Sequence, residues 1–215
     1  MNDLEILYED NDIIVVNKPE GLASIHDSAG EKEDLQTILS KRCKLKVFVV
    51  HRLDKEVSGV IIYAKNAATH KLLNKQFAER TVKKSYVALV HGKMMKDEGS
   101  INKPIREFGS GRMGIDEAKG KPSKTVYKAI KKYPSYTLIE LNPTTGRRHQ
   151  LRVHLYYIGN SIVGDVRYGE KMVQEKYPRL MLHAKELVVE INGTEKTFSA
   201  DIPQSFSKYL QVIDE

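Results

Sequence analysis

Asn192-Gly193 stands between two strand-like runs, Leu187–Ile191 and Thr194–Ala200. An Asn-Gly pair readily takes the two positive φ angles of a two-residue hairpin turn, so the runs are expected to pair antiparallel. The same kind of run recurs along the chain at Asp12–Asn17, Gly59–Ala64, Tyr86–Val90, Thr125–Ile130 and Thr137–Leu141. Helical spacing is rarer. Asn66 is placed to cap a helix over Ala67–Arg80, with Leu72, Leu73 and Phe77 on its apolar face. A second helix is expected from Gly146 to Gly159, closed by a glycine. Strands follow strands as often as they alternate with helices, which predicts an α+β fold on a mixed, mainly antiparallel sheet with flanking helices. The 215 residues show no repeat, low-complexity tract or linker, so one domain over 1–215 is expected. Residues 93–124 are the least patterned and read as an excursion or surface loop.

Charge narrows the partner. The chain carries +7 overall, but residues 1–35 hold ten acids against two bases, or −8, leaving +15 on the rest. A basic body of this kind points first to a polyanion, with nucleic acid the leading class. No apolar run is long enough to span a bilayer as a helix, and the N-terminus has neither the basic nor the apolar part of a signal peptide. The one cysteine, Cys43, offers neither an intrachain disulfide nor a metal cluster, and the cytosol is the expected compartment.

Three segments could carry chemistry. In His51-Arg52-Leu53-Asp54-Lys55-Glu56-Val57-Ser58-Gly59, charged groups crowd a short connection between two apolar runs, and Asp54 sits between two cations. A turn with a surface ion pair would look the same. The segment Thr144 to Leu155 opens the second helix with Arg147, Arg148 and Arg152. On that reading Arg148 and Arg152, four apart, share one face opposite Leu151, Leu155 and Ile158, at a helix N-terminus suited to an anion. An exposed basic helix face is the plainer alternative. In Arg80 to Gly92, Lys83 and Lys84 precede Tyr86, a pairing that suits a phosphate clamp beside a stacking ring and equally an ordinary strand with charged flanks. Nucleotide-binding glycine loops, zincin, serine-hydrolase and EF-hand patterns are all absent from the sequence.

Together these segments resemble the RluA family of RNA pseudouridine synthases, over roughly Leu4 to Pro203. LEILYEDNDIIVVNKPEGL is similar to the family's first motif, a strand ending in a Lys-Pro-x-Gly turn. HRLDKEVSG resembles the second, with Val57 where the family usually has threonine. KKSYVALVHG resembles the strand bearing the family's active-site tyrosine, and TGRRHQLRVHL, GDVRYG and RLMLHA resemble its C-terminal motifs.

The resemblance implies that Asp54 is the catalytic aspartate, that Arg152 pairs with it, and that Tyr86 lies against the target uracil as a candidate base. Arg52 would enter the space left by the flipped nucleotide, while Lys83, Lys84, Arg147 and Arg148 are candidate phosphate contacts. The reaction breaks the N1–C1′ bond of uridine, turns the base and joins C5 to C1′. Nothing is oxidised and no group is donated, so neither cofactor nor metal is expected. The base must leave its stack to reach a carboxylate. Ribosomal or transfer RNA is the expected partner, with no membrane, for a monomeric chain. Only Met1-Asn2-Asp3 precede the first motif, so the S4-type domain of many relatives is expected to be absent. The competing reading is a non-catalytic RNA-binding or ribosome-assembly factor on the same scaffold.

Overall fold

The computed structural model describes residues 4–26 and 33–214; parts of the acidic N-terminal stretch, residues 1–3 and 27–32, lie outside the described residues. In chain order the elements begin with β1 (Glu5–Glu9), β2 (Ile13–Lys18), α1 (Leu35–Cys43), β3 (Phe48–Val49), β4 (Ser58–Ala64) and α2 (Ala67–Glu79). They continue with β5 (Lys83–His91), β6 (Glu98–Asn102), β7 (Ile105–Glu107), β8 (Met113–Ile115), β9 (Lys124–Lys132) and β10 (Tyr136–Pro143). The last are α3 (Gln150–Tyr157), α4 (Lys171–Gln174), β11 (Leu182–Ile191), β12 (Thr194–Ser199) and α5 (Gln204–Val212). The chain divides into two units, Met1–Lys84 with Ala184–Ile202, and Ser85–His183 with Pro203–Glu215. Strands β5 and β11 each begin in one unit and end in the other.

In the first unit β1, β2, β4 and β11 lie side by side, with β3 added to β4 and β12 to β11. The pairs β1–β2, β2–β4, β3–β4 and β11–β12 are antiparallel. Ile13 to Val16 are fully buried, as is nearly all of β4, which is why these strands read as continuous apolar runs instead of alternating ones. The expected hairpin is there: Ile191 pairs with Thr194, and Asn192 and Gly193 take φ of 52° and 76°. At Gly59 (φ 119°) a Cβ would lie 2.1 Å from the carbonyl oxygen of Ala184, so only glycine lets β4 pass there.

Helix α2 starts where its cap predicts: the Asn66 side chain accepts from the Thr69 N–H at 2.9 Å. Its buried face is Thr69, Leu73 and Gln76, while Leu72, expected inside, is exposed. Gln76 earns its burial by bonding a backbone. Its amide nitrogen donates to the Glu190 carbonyl at 2.7 Å, and its amide oxygen accepts from the Glu190 N–H at 2.9 Å.

In the second unit the sheet order is β5-β10-β9-β6, all antiparallel. Residues 93–124 are therefore more than a loop: β6 extends the sheet on β9, and β7 and β8 form a separate hairpin. Ile105, Met113 and Ile115 of that hairpin pack with Val153 of α3 and with Tyr168.

The second helix starts at Gln150, four residues later than the sequence suggested. Gln150 itself is the reason. Its amide oxygen accepts from the Thr145 hydroxyl at 2.6 Å and from the Arg147 N–H at 3.1 Å. Its amide nitrogen donates to the Lys124 carbonyl and the Thr125 hydroxyl at 3.0 and 3.1 Å. This buried amide folds residues 144–148 into a turn, and His149 enters the helix with a left-handed φ of 53°. Gln150 to Leu155 are all buried, so α3 has no polar face at its start. The expected shared face of Arg148 and Arg152 is overturned: Arg148 is exposed and paired with Glu107 at 2.8 Å, whereas Arg152 is 3% exposed.

Candidate active site

Asp54 is half-buried at the start of a turn whose backbone is held on both sides. Before it, Leu53 donates its N–H to the Ser24 hydroxyl oxygen at 3.1 Å and accepts that hydroxyl's proton at 2.8 Å. Ser24 is pinned in turn by the Tyr63 hydroxyl, which donates to its carbonyl at 2.6 Å. After it, the Lys55 carbonyl accepts from the Gly21 N–H at 2.9 Å and from the Lys18 ammonium at 3.1 Å. Lys18 is fully buried and also donates to the carbonyls of Pro19 and Leu22. The Lys-Pro-x-Gly segment thus braces the Asp54 turn. The Val57 N–H closes the turn on the Asp54 carbonyl at 3.1 Å, a main-chain bond that valine supplies as well as threonine would. Arg52 is exposed beside it.

His51 has a structural task. Its Nε2 accepts from the Ile62 N–H at 3.2 Å, just past the end of β3, where the β4 backbone would otherwise lack that partner. Its ring stacks on Phe77 at 4.8 Å between centroids. An accepting Nε2 requires neutral imidazole. Burial, aided by the charge of Lys84, pushes the His51 pKa down to about 3. The folded pKa lies below the unfolded one, so this contribution is complete at neutral pH and is lost as pH falls below about 6.5. Wild-type stability should then fall by up to about 1.4 kcal/mol per pH unit more than that of His51→Gln between pH 6.5 and 5. Urea unfolding at several pH values measures this, and parallel curves for the two proteins would refute it.

Lys83 and Lys84 separate. Lys83 is exposed and paired with Glu195 at 2.9 Å. Lys84 is half-buried, and burial lowers its pKa to about 8. Tyr86 is half-buried on β5 opposite Leu141 of β10.

Arg152 lies in the buried interior of the second unit. Its Nε and Nη2 donate to the two oxygens of Asp165, each at 2.8 Å, in a side-on bidentate pair. Asp165 is 1% exposed, and its Oδ1 also accepts from the N–H groups of Arg167 and Tyr168. The guanidinium rests 5.3 Å from the Tyr168 ring centre, and the Tyr168 hydroxyl lies 2.7 Å from His149 Nδ1. Asp165 takes two of the five guanidinium donors. Arg147 is half-exposed, with Nε toward the Pro122 carbonyl at 3.4 Å. His154, fully buried, bridges the Thr125 hydroxyl and the Lys103 carbonyl at 2.9 and 3.0 Å, and burial lowers its pKa. Among the described residues no group of His, Cys, Asp and Glu is arranged to hold a metal ion.

Residues 12–157 match the family described as RNA pseudouridylate synthase. The chain belongs to that family. The synthase is 38% identical to the dual-specificity RNA pseudouridine synthase RluA of Haemophilus influenzae, covering 92% of each chain. It is 35% identical to the ribosomal large subunit pseudouridine synthase C of Buchnera aphidicola, over 97% of this chain and 70% of the relative. Human RNA pseudouridylate synthase domain containing 4 superposes with a TM-score of 0.84 at 28% identity, covering 98% of this chain and 93% of that one. The synthase is an isomerase acting on RNA.

The GDVRYG segment carries no role that the sequence by itself implies. In the synthase its Asp165 and Tyr168 hold Arg152. The signal available was weak: one aspartate in a glycine-flanked turn, far from any periodic segment.

Proposed function

We propose that the synthase isomerises uridines in ribosomal or transfer RNA in the cytoplasm, with Asp54 as the catalytic carboxylate. The observation that carries the role of Asp54 is the bracing of its turn by Ser24, Gly21 and Lys18, which fixes one carboxylate-bearing residue at a half-exposed position. Pre-set positioning of a reacting group can supply a large part of a barrier reduction. In this reading Arg152, oriented by Asp165, pairs with Asp54 and keeps it ionised and aimed. Tyr86 stacks on the target uracil, and Arg52 fills the space the nucleotide leaves. Asp54 acts either by adding to the ring or by assisting departure of the base; both routes use the ionised form. The relatives named for ribosomal RNA and for dual specificity support the RNA class.

The test is incubation of the protein with large-subunit ribosomal RNA and with transfer RNA transcripts, followed by mapping of pseudouridine. Modification at defined positions is expected, and none in either class would overturn the proposal. Arg52→Ala should slow single-turnover reaction more than it weakens binding. It should be partly rescued by a target base that is already unpaired, since unstacking costs least there. Lys83→Ala is the phosphate-contact comparison, because Lys83 is exposed and Lys84 is not. Equal losses of affinity and no rescue would reduce Arg52 to one more phosphate contact.

A further inference from the structure

Helix α3 is buried from Gln150 to Leu155, yet it ends in two adjacent tyrosines, Tyr156 and Tyr157, that are 50% and 49% exposed. They line a cavity of about 810 Å³, together with Phe108, which is 40% exposed, and Tyr168. That volume is typical of a small-molecule site. The floor is apolar, with Met113 and Val153. Cations stand against the rings. The Arg112 guanidinium is 5.8 Å from the Tyr156 ring centre and 5.2 Å from that of Tyr168. Lys103 lies 5.5 Å from the Tyr157 centre and Arg106 4.7 Å from that of Phe108.

The charges around the cavity are not equivalent. Lys103 is paired with Glu117, itself a lining residue, at 2.5 Å, and Arg106 is paired with Asp116 at 2.9 Å. Arg112 is exposed, and among the described residues no carboxylate pairs with it. A set of half-exposed rings beside a cation that lacks an acidic partner suits a flat π-face joined to an anion. Single-stranded nucleic acid combines those two features, base and phosphate, in one unit.

We infer that this groove binds an unpaired nucleotide of the RNA, other than the target uridine, with its base stacked on Tyr156 and its phosphate held by Arg112. The inference rests on the reading that the substrate is RNA and adds a second contact point to it. Tyr157 and Phe108 extend the stacking surface to a neighbouring base. Recognition here selects single-stranded over paired RNA, because a base in a duplex has no free face to offer.

The test uses two probes, a short fluorescein-labelled oligouridylate and an RNA duplex of the same length, read by anisotropy. Tyr156→Ala and Arg112→Ala should each weaken oligouridylate binding by about ten-fold or more, the increment of one stacked base. Duplex binding should change by less than about two-fold, and Tyr156→Phe, which keeps the ring, should bind as wild type. Both side chains are exposed, so truncation should leave the fold intact, which an unchanged melting curve checks. Equal losses on both probes, no loss on either, or a wild-type protein that does not bind the oligouridylate would overturn the inference. Binding is read without turnover. A protein that binds through Tyr156 but makes no pseudouridine in any RNA would count against the proposed function and leave the groove standing.

Discussion

Asp54→Asn is expected to form no detectable pseudouridine, a loss on the order of 10⁴-fold or more, as when a catalytic nucleophile or its carboxylate partner is removed in other enzymes. The bonds that shape the turn are made by the main chain of Leu53, Lys55 and Val57 and by Ser24, Gly21 and Lys18. Asparagine has the same shape as aspartate, so those bonds persist and stability should stay within about 1 kcal/mol of wild type. RNA affinity should likewise be retained, because binding draws on the basic surface. The measurements are single-turnover product formation, a dissociation constant and a melting curve for the same preparation. Turnover at the wild-type rate would remove Asp54 from the mechanism. Lost turnover with an equally lost melting transition would instead assign it a structural place.

Asp165→Leu is expected to lower stability by about 3–5 kcal/mol, the cost of removing one partner of a buried ion pair. For a chain of this size that corresponds to a drop in Tm of roughly 6–20 °C. Arg152 is 3% exposed, so water does not replace the two lost bonds. Arg152→Lys should also be damaging, since an ammonium cannot span both oxygens of Asp165 as the planar fork does. Combining Arg152→Met with Asp165→Leu should cost less than the sum of the single changes, because the double change removes both members of the buried pair at once. Additive losses in that cycle would show that the two residues do not act on stability as a pair.

The strands and α2 were legible because their signals are local. Runs of β-branched residues mark β2 and β4, Asn192-Gly193 marks the β11–β12 turn, and Asn66 caps α2 through a residue three positions on. The errors arose where a partner distant in sequence decides the outcome. Gln76 is buried because its amide bonds the Glu190 backbone, and the buried face centres on Thr69, Leu73 and Gln76, leaving Leu72 at its margin. Gln150 delays α3 because Lys124 and Thr125 hold it. Helix periodicity put Arg148 and Arg152 together, while Glu107 and Asp165 draw them to opposite environments. The strands β6, β7 and β8 are short, and in the sequence charged residues and glycines break up the apolar positions around them. Asp54 was named through a family motif; what braces it became visible only with Ser24 and Lys18 in place.

The Gln76 amide has a consequence for which changes that helix position tolerates. At Glu190 it presents one donor and one acceptor to a strand backbone, as an adjoining strand would. A leucine there would suit the helix and bury well, yet it would leave a strand N–H and a carbonyl without that partner, at a cost of about 1–3 kcal/mol for each group left unsatisfied. Polarity at this buried position is thus a demand of the sheet, made on a residue that the helix pattern alone would replace with an apolar one.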